Sequence, residues 1–170
     1  MMKTILNPTL SLSLTTKNQG VKADSVRPYI EEVEATEVKP LLGDDLYIDL
    51  VNYVDSDRTP VNALIDKLLD GGEYTTQSGR KKTFAGLLIA ISYLAKSRYA
   101  VGLRYSVTDY GAKLKESGES SNPDSGEVQR EASRHSNVGL TYLNECVAYA
   151  SDSLTGYNIC KKASKKYSII

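Results

Sequence analysis

One apolar segment constrains this chain more than any other feature. Residues 84–95 read Phe-Ala-Gly-Leu-Leu-Ile-Ala-Ile-Ser-Tyr-Leu-Ala, which is too short to cross a bilayer, because a spanning helix needs about 20 apolar residues. Within a helix predicted from about Thr83 to Leu103, positions 87–94 are apolar on nearly every side, as expected of a helix in the middle of a core. A chain of 170 residues fits one domain built around such a helix.

Periodic apolar residues predict four further helices. The first begins at a capping Asp24 or Ser25, ends at Gly43, and is expected to turn its acidic residues to water: Glu31, Glu32, Glu34 and Glu37. Asp44 is predicted to cap the second, whose apolar face includes Leu46 and Leu50. The third runs from the cap Thr59-Pro60 to Gly71-Gly72, with a stripe formed by Val61, Leu64, Ile65, Leu68 and Leu69. The fifth begins at the capping box of Asp124 and Glu127 and extends to about Asp152.

Strands are predicted in three places. Residues 73–83 indicate a hairpin around Ser78-Gly79, and residues 105–110 are a further strand followed by a polar loop, 113–125. Leu10, Leu12 and Leu14 alternate with polar residues, the period-2 pattern typical of a strand over residues 8–16. The predicted architecture is mainly α, a five-helix bundle-like domain (23–152) with a short β-hairpin, an extended N-terminal arm (1–22) and a basic C-terminal tail (153–170).

Charge and composition restrict the possible partners. The chain has 21 Lys and Arg against 21 Asp and Glu, so it lacks the basic excess of a dedicated nucleic-acid binder and has little net charge to oppose self-association. Twelve tyrosines accompany one phenylalanine and no tryptophan; this bias suits an interface, and compositional drift explains it equally well. Residues 1–8 only superficially resemble a signal peptide, because polar residues interrupt the apolar stretch that follows, so secretion is not expected.

No catalytic constellation emerges from the sequence, and no metal or cofactor is expected. His135, the one histidine, falls on an apolar helical stripe, where a satisfied core residue is the simpler interpretation. Cys146 lies about 16 Å further along the same predicted helix, too far for a Cys–His pair. Both Cys146 and Cys160 are interpreted as small buried apolar residues. Neither a phosphate-binding loop nor a dinucleotide fingerprint is present.

Two basic clusters are candidate binding residues. One is Arg80-Lys81-Lys82 at the predicted hairpin, and the other lies in the tail: Lys161, Lys162, Lys165 and Lys166. Both are explained as solvated surface or as a contact for an acidic partner or for DNA.

A resemblance to a known family rests on residues 29–50, Tyr-Ile-Glu-Glu-Val-Glu-Ala-Thr-Glu-Val-Lys-Pro-Leu-Leu-Gly-Asp-Asp-Leu-Tyr-Ile-Asp-Leu. This segment resembles the N-terminal helix pair of head–tail connector (adaptor) proteins of tailed bacteriophages, of the type found in Bacteroides prophages and crAss-like phages. In that group a helix ending in a Lys-Pro-Leu-Leu-Gly-like turn leads into a helix beginning Leu-Tyr. The pattern covers about residues 24–151, and Val38–Leu50 is its specific part.

The resemblance implies a structural virion protein without catalytic activity. It implies a ring, commonly of twelve subunits, made in the bacterial host cytoplasm and placed at the head–tail junction, with the portal above it, tail or ring proteins below it and DNA passing through its channel. No membrane is implied. We further expect the arm, through Leu10, Leu12 and Leu14, to add a strand to an adjacent protein. The alternatives are a small helical adaptor or nucleic-acid-binding regulatory domain and, less favoured, an enzyme built on a helical bundle.

Overall fold

The computed structural model describes residues 3–15, 22–102, 105–108, 111–114 and 125–160. In these ranges the helices are α1 (Pro8–Thr15), α2 (Ala23–Val33), a π-helical turn (Glu34–Val38), α3 (Lys39–Leu42), α4 (Asp44–Asp55), α5 (Ala63–Asp70), α6 (Leu87–Gly102) and α7 (Ser125–Ser153). The strands are β1 (Gly72–Thr75), β2 (Lys81–Phe84), β3 (Tyr105–Thr108) and β4 (Gly111–Leu114). A mainly helical domain with a short β-hairpin is therefore confirmed.

Helix α6 is the centre of the core, as its composition predicts. It packs along α7 and also contacts α1, α2 and α5, so nearly every side of it meets another helix. The helix begins at Leu87 instead of Thr83, because the preceding residues form β2 and Gly86 has a positive φ of 92°. Gly139 of α7 lies against Leu94, so closely that a Cβ there would come within 2.7 Å of Leu94 Cγ. The absence of a side chain lets the two longest helices approach.

The N-terminal segment corrects the sequence prediction, because residues 8–15 form a helix and not a strand. Asn7 starts the helix: its side-chain oxygen accepts a hydrogen bond from Thr9 N at 2.9 Å, and Pro8 occupies the first helical position, where its missing N–H costs nothing. The alternating pattern is not an inside–outside pattern either, since Ser11 is buried and Leu10 is 39% exposed. Leu12 and Leu14 pack partly against the core.

Helices α2, α3 and α4 form one continuous path interrupted twice. The first interruption is the π-helical turn. The second is Gly43, whose φ of +82° ends α3. Gly43 is also the residue that precedes α4, so the N-cap of α4 is Gly43 and not Asp44. A Cβ on Gly43 would lie 2.7 Å from the carbonyl oxygen of Asn158, so the turn needs glycine for both its conformation and its neighbour. The predicted C-terminal cap at Gly43 is confirmed, and the cap at Asp44 is wrong.

The third predicted helix begins later than its sequence suggests. Thr59-Pro60 lies in a loop, and the cap is Asn62, whose side-chain oxygen accepts from Leu64 N at 3.2 Å and Ile65 N at 3.3 Å. Val61 is consequently 82% exposed and Leu64 is 48% exposed. The buried stripe of α5 is reduced to Ile65, Leu68 and Leu69.

The predicted hairpin is confirmed as β1 paired antiparallel with β2, with Tyr74 opposite Lys82. Three rings attach it to α7: the centroid of Tyr149 lies 4.7 Å from that of Phe84 and 5.1 Å from that of Tyr74. The strand predicted at 105–110 is present as β3, and its partner β4 takes up residues that were predicted to be partly loop. Helix α7 reaches Ser153, close to the predicted end, while the predicted cap Asp124 lies outside the described residues.

The chain after α7 turns back over the α3–α4 corner. Cys160 N donates to Leu41 O at 2.8 Å, and Tyr157 Oη donates to Asp49 Oδ2 at 2.8 Å. Cys160 is exposed, so its prediction as a buried residue is wrong, whereas Cys146 is buried as predicted. Residues 161–170, including all four tail lysines, lie outside the described residues.

Candidate functional site

The most unusual polar group in the described chain is the carboxyl of Glu34. The sequence predicted that this residue faces water, but its side chain is completely buried. Oε2 accepts a hydrogen bond from Ile5 N at 2.9 Å and another from the hydroxyl of Tyr47 at 3.0 Å. Oε1 accepts from Leu6 N at 3.0 Å. One carboxyl thus joins the N-terminal segment, the π-helical turn and α4.

Burial dominates the protonation of this group. Desolvation raises the pKa of Glu34 from 4.5 to about 7, although the three hydrogen bonds act in the opposite direction. Burial and the neighbouring Glu34 also raise the pKa of the Tyr47 hydroxyl, so this phenol stays protonated. No cation among the described residues lies within ion-pair distance of Glu34. Near neutral pH the carboxyl is therefore poised between its two forms.

A signal for this burial exists in the sequence. Glu34 lies four residues after Ile30 and four before Val38, on the same helical stripe as both. An acidic residue on an apolar stripe must be neutral, hydrogen-bonded or paired when the stripe is buried. The four glutamates of this segment were predicted to form a charged outer helix face, and this prediction is wrong at Glu34.

His135 occupies a second, smaller polar site on α7. It is 7% exposed, its Nε2 lies 3.0 Å from Glu131 Oε1, and its ring centroid lies 5.6 Å from that of Tyr93. Burial first, and then the positive charge of Lys96, lower the pKa of the imidazole, with Glu131 opposing them. These surroundings keep a neutral histidine in the helix interface, in agreement with the prediction of a core residue. No group of three or more potential metal ligands occurs in the described part of the chain.

The hairpin carries the one predicted basic cluster that the structure describes. Arg80, Lys81 and Lys82 are all exposed, and none of them forms an ion pair with another described residue. Beside them an open cleft of about 490 Å³ lies between the hairpin and α7, with lysine and glutamate side chains on its two walls. The rings of Tyr74 and Phe84 hold the strands in place, so the hairpin presents a fixed basic edge, with Glu73 and Glu145 lining the cleft beside it.

The other predicted contact residues do not join this surface into one site. Leu10 is exposed on α1, while Leu12 and Leu14 lie partly against the core. The largest exposed apolar side chains elsewhere are Ile48, Val61 and Leu64. Sequence reasoning missed Val61 and Leu64 as surface residues because it placed them on the buried stripe of a longer helix. None of the helices in the described ranges has the length and apolar character needed to span a bilayer.

Comparison with known proteins gives a family and no function. No curated protein and no solved structure shows significant similarity to the chain. A family of unknown function (DUF6712) matches residues 38–166, which include α4, the hairpin, α6 and α7. Glu34 and the N-terminal segment precede the matched region. The chain belongs to this family of unknown function.

Proposed function

We propose that this chain is a structural subunit of a tailed-phage virion, forming a ring of about twelve copies that joins the portal to the tail and continues the DNA channel. The observation that carries the proposal is the basic edge of the hairpin, which is held in a fixed position on the helical domain. Its basic side chains form no ion pair within the described residues. Such an edge suits contact with an acidic neighbouring subunit or with passing DNA.

The connector-like segment supports the same proposal. In this segment α3 leads through Gly43 into α4, and the inward residues Leu42, Leu46 and Leu50 of these two helices are completely buried. The resemblance therefore falls on the part of the chain that determines how α3 and α4 pack.

Several polar groups of the described chain hold parts of the fold together. The buried carboxyl of Glu34 binds backbone N–H groups, and the hydroxyl of Ser97 donates to Ala132 O at 2.7 Å. Arg58 pairs with Asp66 and Asp70 to hold the loop before α5. Each of these contacts joins two parts of the same chain.

Arm exchange through a strand is not retained, because residues 8–15 are helical. The N-terminal segment contributes instead through its exposed side, where Leu10 is the large apolar residue. We expect the portal and the downstream tail or ring proteins to contact surfaces of this kind, whose apolar centre is surrounded by polar residues.

Mass photometry of the protein alone and mixed with the portal protein from the same genome tests the proposal. We expect the portal mass to increase in one step by about 220 kDa, twelve times the chain mass of 18.6 kDa. A chain that stays monomeric and leaves the portal mass unchanged would refute the connector function.

A matched pair of variants tests the role of the hairpin. Replacing Lys81 and Lys82 by Glu reverses the positive edge, and we expect it to reduce ring or portal association. The control replaces Lys22 and Arg130, two exposed residues away from the hairpin, by Glu with the same change of net charge. Equal loss of assembly in both variants would show that net charge, and not the hairpin, controls association.

A second candidate, a nucleic-acid-binding regulatory domain, is favoured by the same exposed triad Arg80-Lys81-Lys82. In this alternative the monomer itself binds duplex DNA, and its affinity decreases steeply as salt is added, because counterions are released from the phosphates. Fluorescence anisotropy with a labelled duplex at several salt concentrations distinguishes the two. Salt-sensitive binding by monomer that does not associate with the portal would favour this candidate.

A further inference from the structure

The segment Lys3–Thr15 is attached to the helical body by apolar packing, with α1 lying against α2 and α6, and by a few specific polar contacts. Ile5 and Leu6 are buried, with 2% and 0% of their surfaces exposed. Their two successive backbone N–H groups donate to the two oxygens of Glu34. At the surface, Lys3 Nζ pairs with Asp55 Oδ2 at 2.6 Å, with both side chains more than half exposed.

The Glu34 carboxyl is the one buried polar group to which Ile5 and Leu6 are tied among the described contacts. The π-helical turn at Glu34–Val38 places the side chain so that the segment covers it. If the segment leaves, the carboxyl loses its cover and two of its three donors and gains access to water. The attachment of the segment and the solvation of Glu34 are therefore linked.

We propose that Glu34 is a proton-dependent latch, which holds the segment Lys3–Thr15 on the helical body when the carboxyl is protonated and favours its release when the carboxyl ionises. This inference does not depend on the proposed virion function. It concerns a conformational change within the chain: when the segment is released, Ile5, Leu6 and the apolar surface that they cover become exposed.

The direction of the effect follows from the linkage between proton binding and opening. In the closed form the pKa of Glu34 is raised from 4.5 to about 7, whereas in the open form the solvated carboxyl returns toward 4.5. A group whose pKa is raised in the closed form stabilises that form fully below the lower value, and this contribution is lost as pH rises through the higher one. Opening therefore increases between about pH 4.5 and pH 7 and is constant above that range.

The charged and titratable groups around Glu34 do not supply a competing switch. Glu31, on the preceding turn, raises the pKa in the same direction, and the Tyr47 hydroxyl remains protonated throughout this range. Lys39 Nζ lies 6.0 Å from the centroid of the Tyr47 ring and pairs with Asp44. Arg98 is engaged with Glu32 and Glu37, and Lys3 with Asp55.

Hydrogen exchange of the Ile5 and Leu6 amides, measured by NMR on the full chain and corrected for the intrinsic pH dependence of exchange, tests the latch. We expect protection of both amides to fall by up to about 300-fold from about pH 4 to about pH 8, tenfold for each unit of pKa difference. Global unfolding also solvates Glu34, so protection of the Leu143 amide in α7 should follow the same pH trend but stay higher than that of Ile5 and Leu6 at every pH. Protection of Ile5 and Leu6 that does not change with pH, or that equals the protection of Leu143 at every pH, would overturn the proposal.

Two variants identify the titrating group. Glu34→Gln is neutral at every pH, so it should remove the pH dependence, whereas Glu73→Gln, the same change at an exposed residue of β1, should leave it intact. Tyr47→Phe removes a hydrogen bond that lowers the pKa of Glu34, so the midpoint should move to higher pH. If Glu34→Gln fails to fold, the Tyr47→Phe result decides, because an unmoved midpoint contradicts the latch.

Discussion

Replacing Gly139 by alanine sets two known effects against each other, at a position where α7 lies very close to Leu94 of α6. A Cβ at this position would lie 2.7 Å from Leu94 Cγ, 2.9 Å from Cδ2 and 3.0 Å from the backbone nitrogen of Leu94. Leucine can change its rotamer to relieve the first two contacts, but the third involves the backbone of α6. The helices must therefore separate, or the core must shift, to admit one methyl group.

The relative sizes of these two effects decide whether the substitution stabilises or destabilises the protein. Alanine gains about 1 kcal/mol over glycine in a helix interior, while overpacking a well-packed core costs about 1–3 kcal/mol. Because a backbone contact cannot be relieved by a rotamer change, we place the packing cost at the upper end, and expect a net loss of about 1–2 kcal/mol in the free energy of unfolding. In a chain of this size each kcal/mol lowers Tm by about 2–4 °C.

Urea and thermal unfolding followed by circular dichroism measure this change. Asn137→Ala is the matched control, since Asn137 is exposed on the same helix and alanine gains helix propensity there without meeting α6. The control should be as stable as the unmodified protein or slightly more stable. A Gly139→Ala protein that is at least as stable as the unmodified protein would refute the assignment of Gly139 as a packing requirement.

Two further predictions concern the cap of α5 and the two thiols. Asn62→Ala removes the acceptor of the Leu64 and Ile65 N–H groups and should lower the free energy of unfolding by about 1 kcal/mol. The control Asn52→Ala, at an exposed position of α4, should change the urea midpoint little. Equal midpoints for the two variants would contradict the capping role of Asn62. Burial raises the pKa of the Cys146 thiol while Cys160 is exposed, so a thiol reagent should modify one cysteine rapidly in the native protein and the second only after unfolding. Rapid modification of both thiols, with peptide mapping that identifies Cys146, would show that α7 is not packed as described.

The elements with strong and redundant sequence signals could be predicted. Helix α6 is apolar on nearly every side, α7 carries a long stripe at spacings of three and four, and Ser78-Gly79 marks the turn of the hairpin. The core position of His135 and the burial of Cys146 followed from the α7 stripe. In each case local pattern and tertiary packing agree.

Other features depend on tertiary contacts, or on which of two competing local signals prevails. Residues 8–15 alternate like a strand, yet the Asn7 cap and the packing surface of α2 and α6 make them helical. Thr59-Pro60 has the composition of a helix start, but Asn62 supplies the cap two residues later than Pro60. The burial of Glu34 requires the N-terminal segment to cover it, and the partner of that contact lies 28 and 29 residues away in sequence.

The π-helical turn also determines which side of α3, the helix that follows it, faces the core. The inward residues Val26, Ile30, Glu34, Val38 and Leu42 recur at intervals of four, and in an uninterrupted α-helix each such interval overshoots a full rotation by about 40°. Over the whole series the inward direction would rotate well away from the core, and the wider π turn takes up part of that excess. Loss of a single residue between 34 and 38 would therefore rotate α3 by about 100° and turn Leu42 away from the side on which α3 now packs against α7.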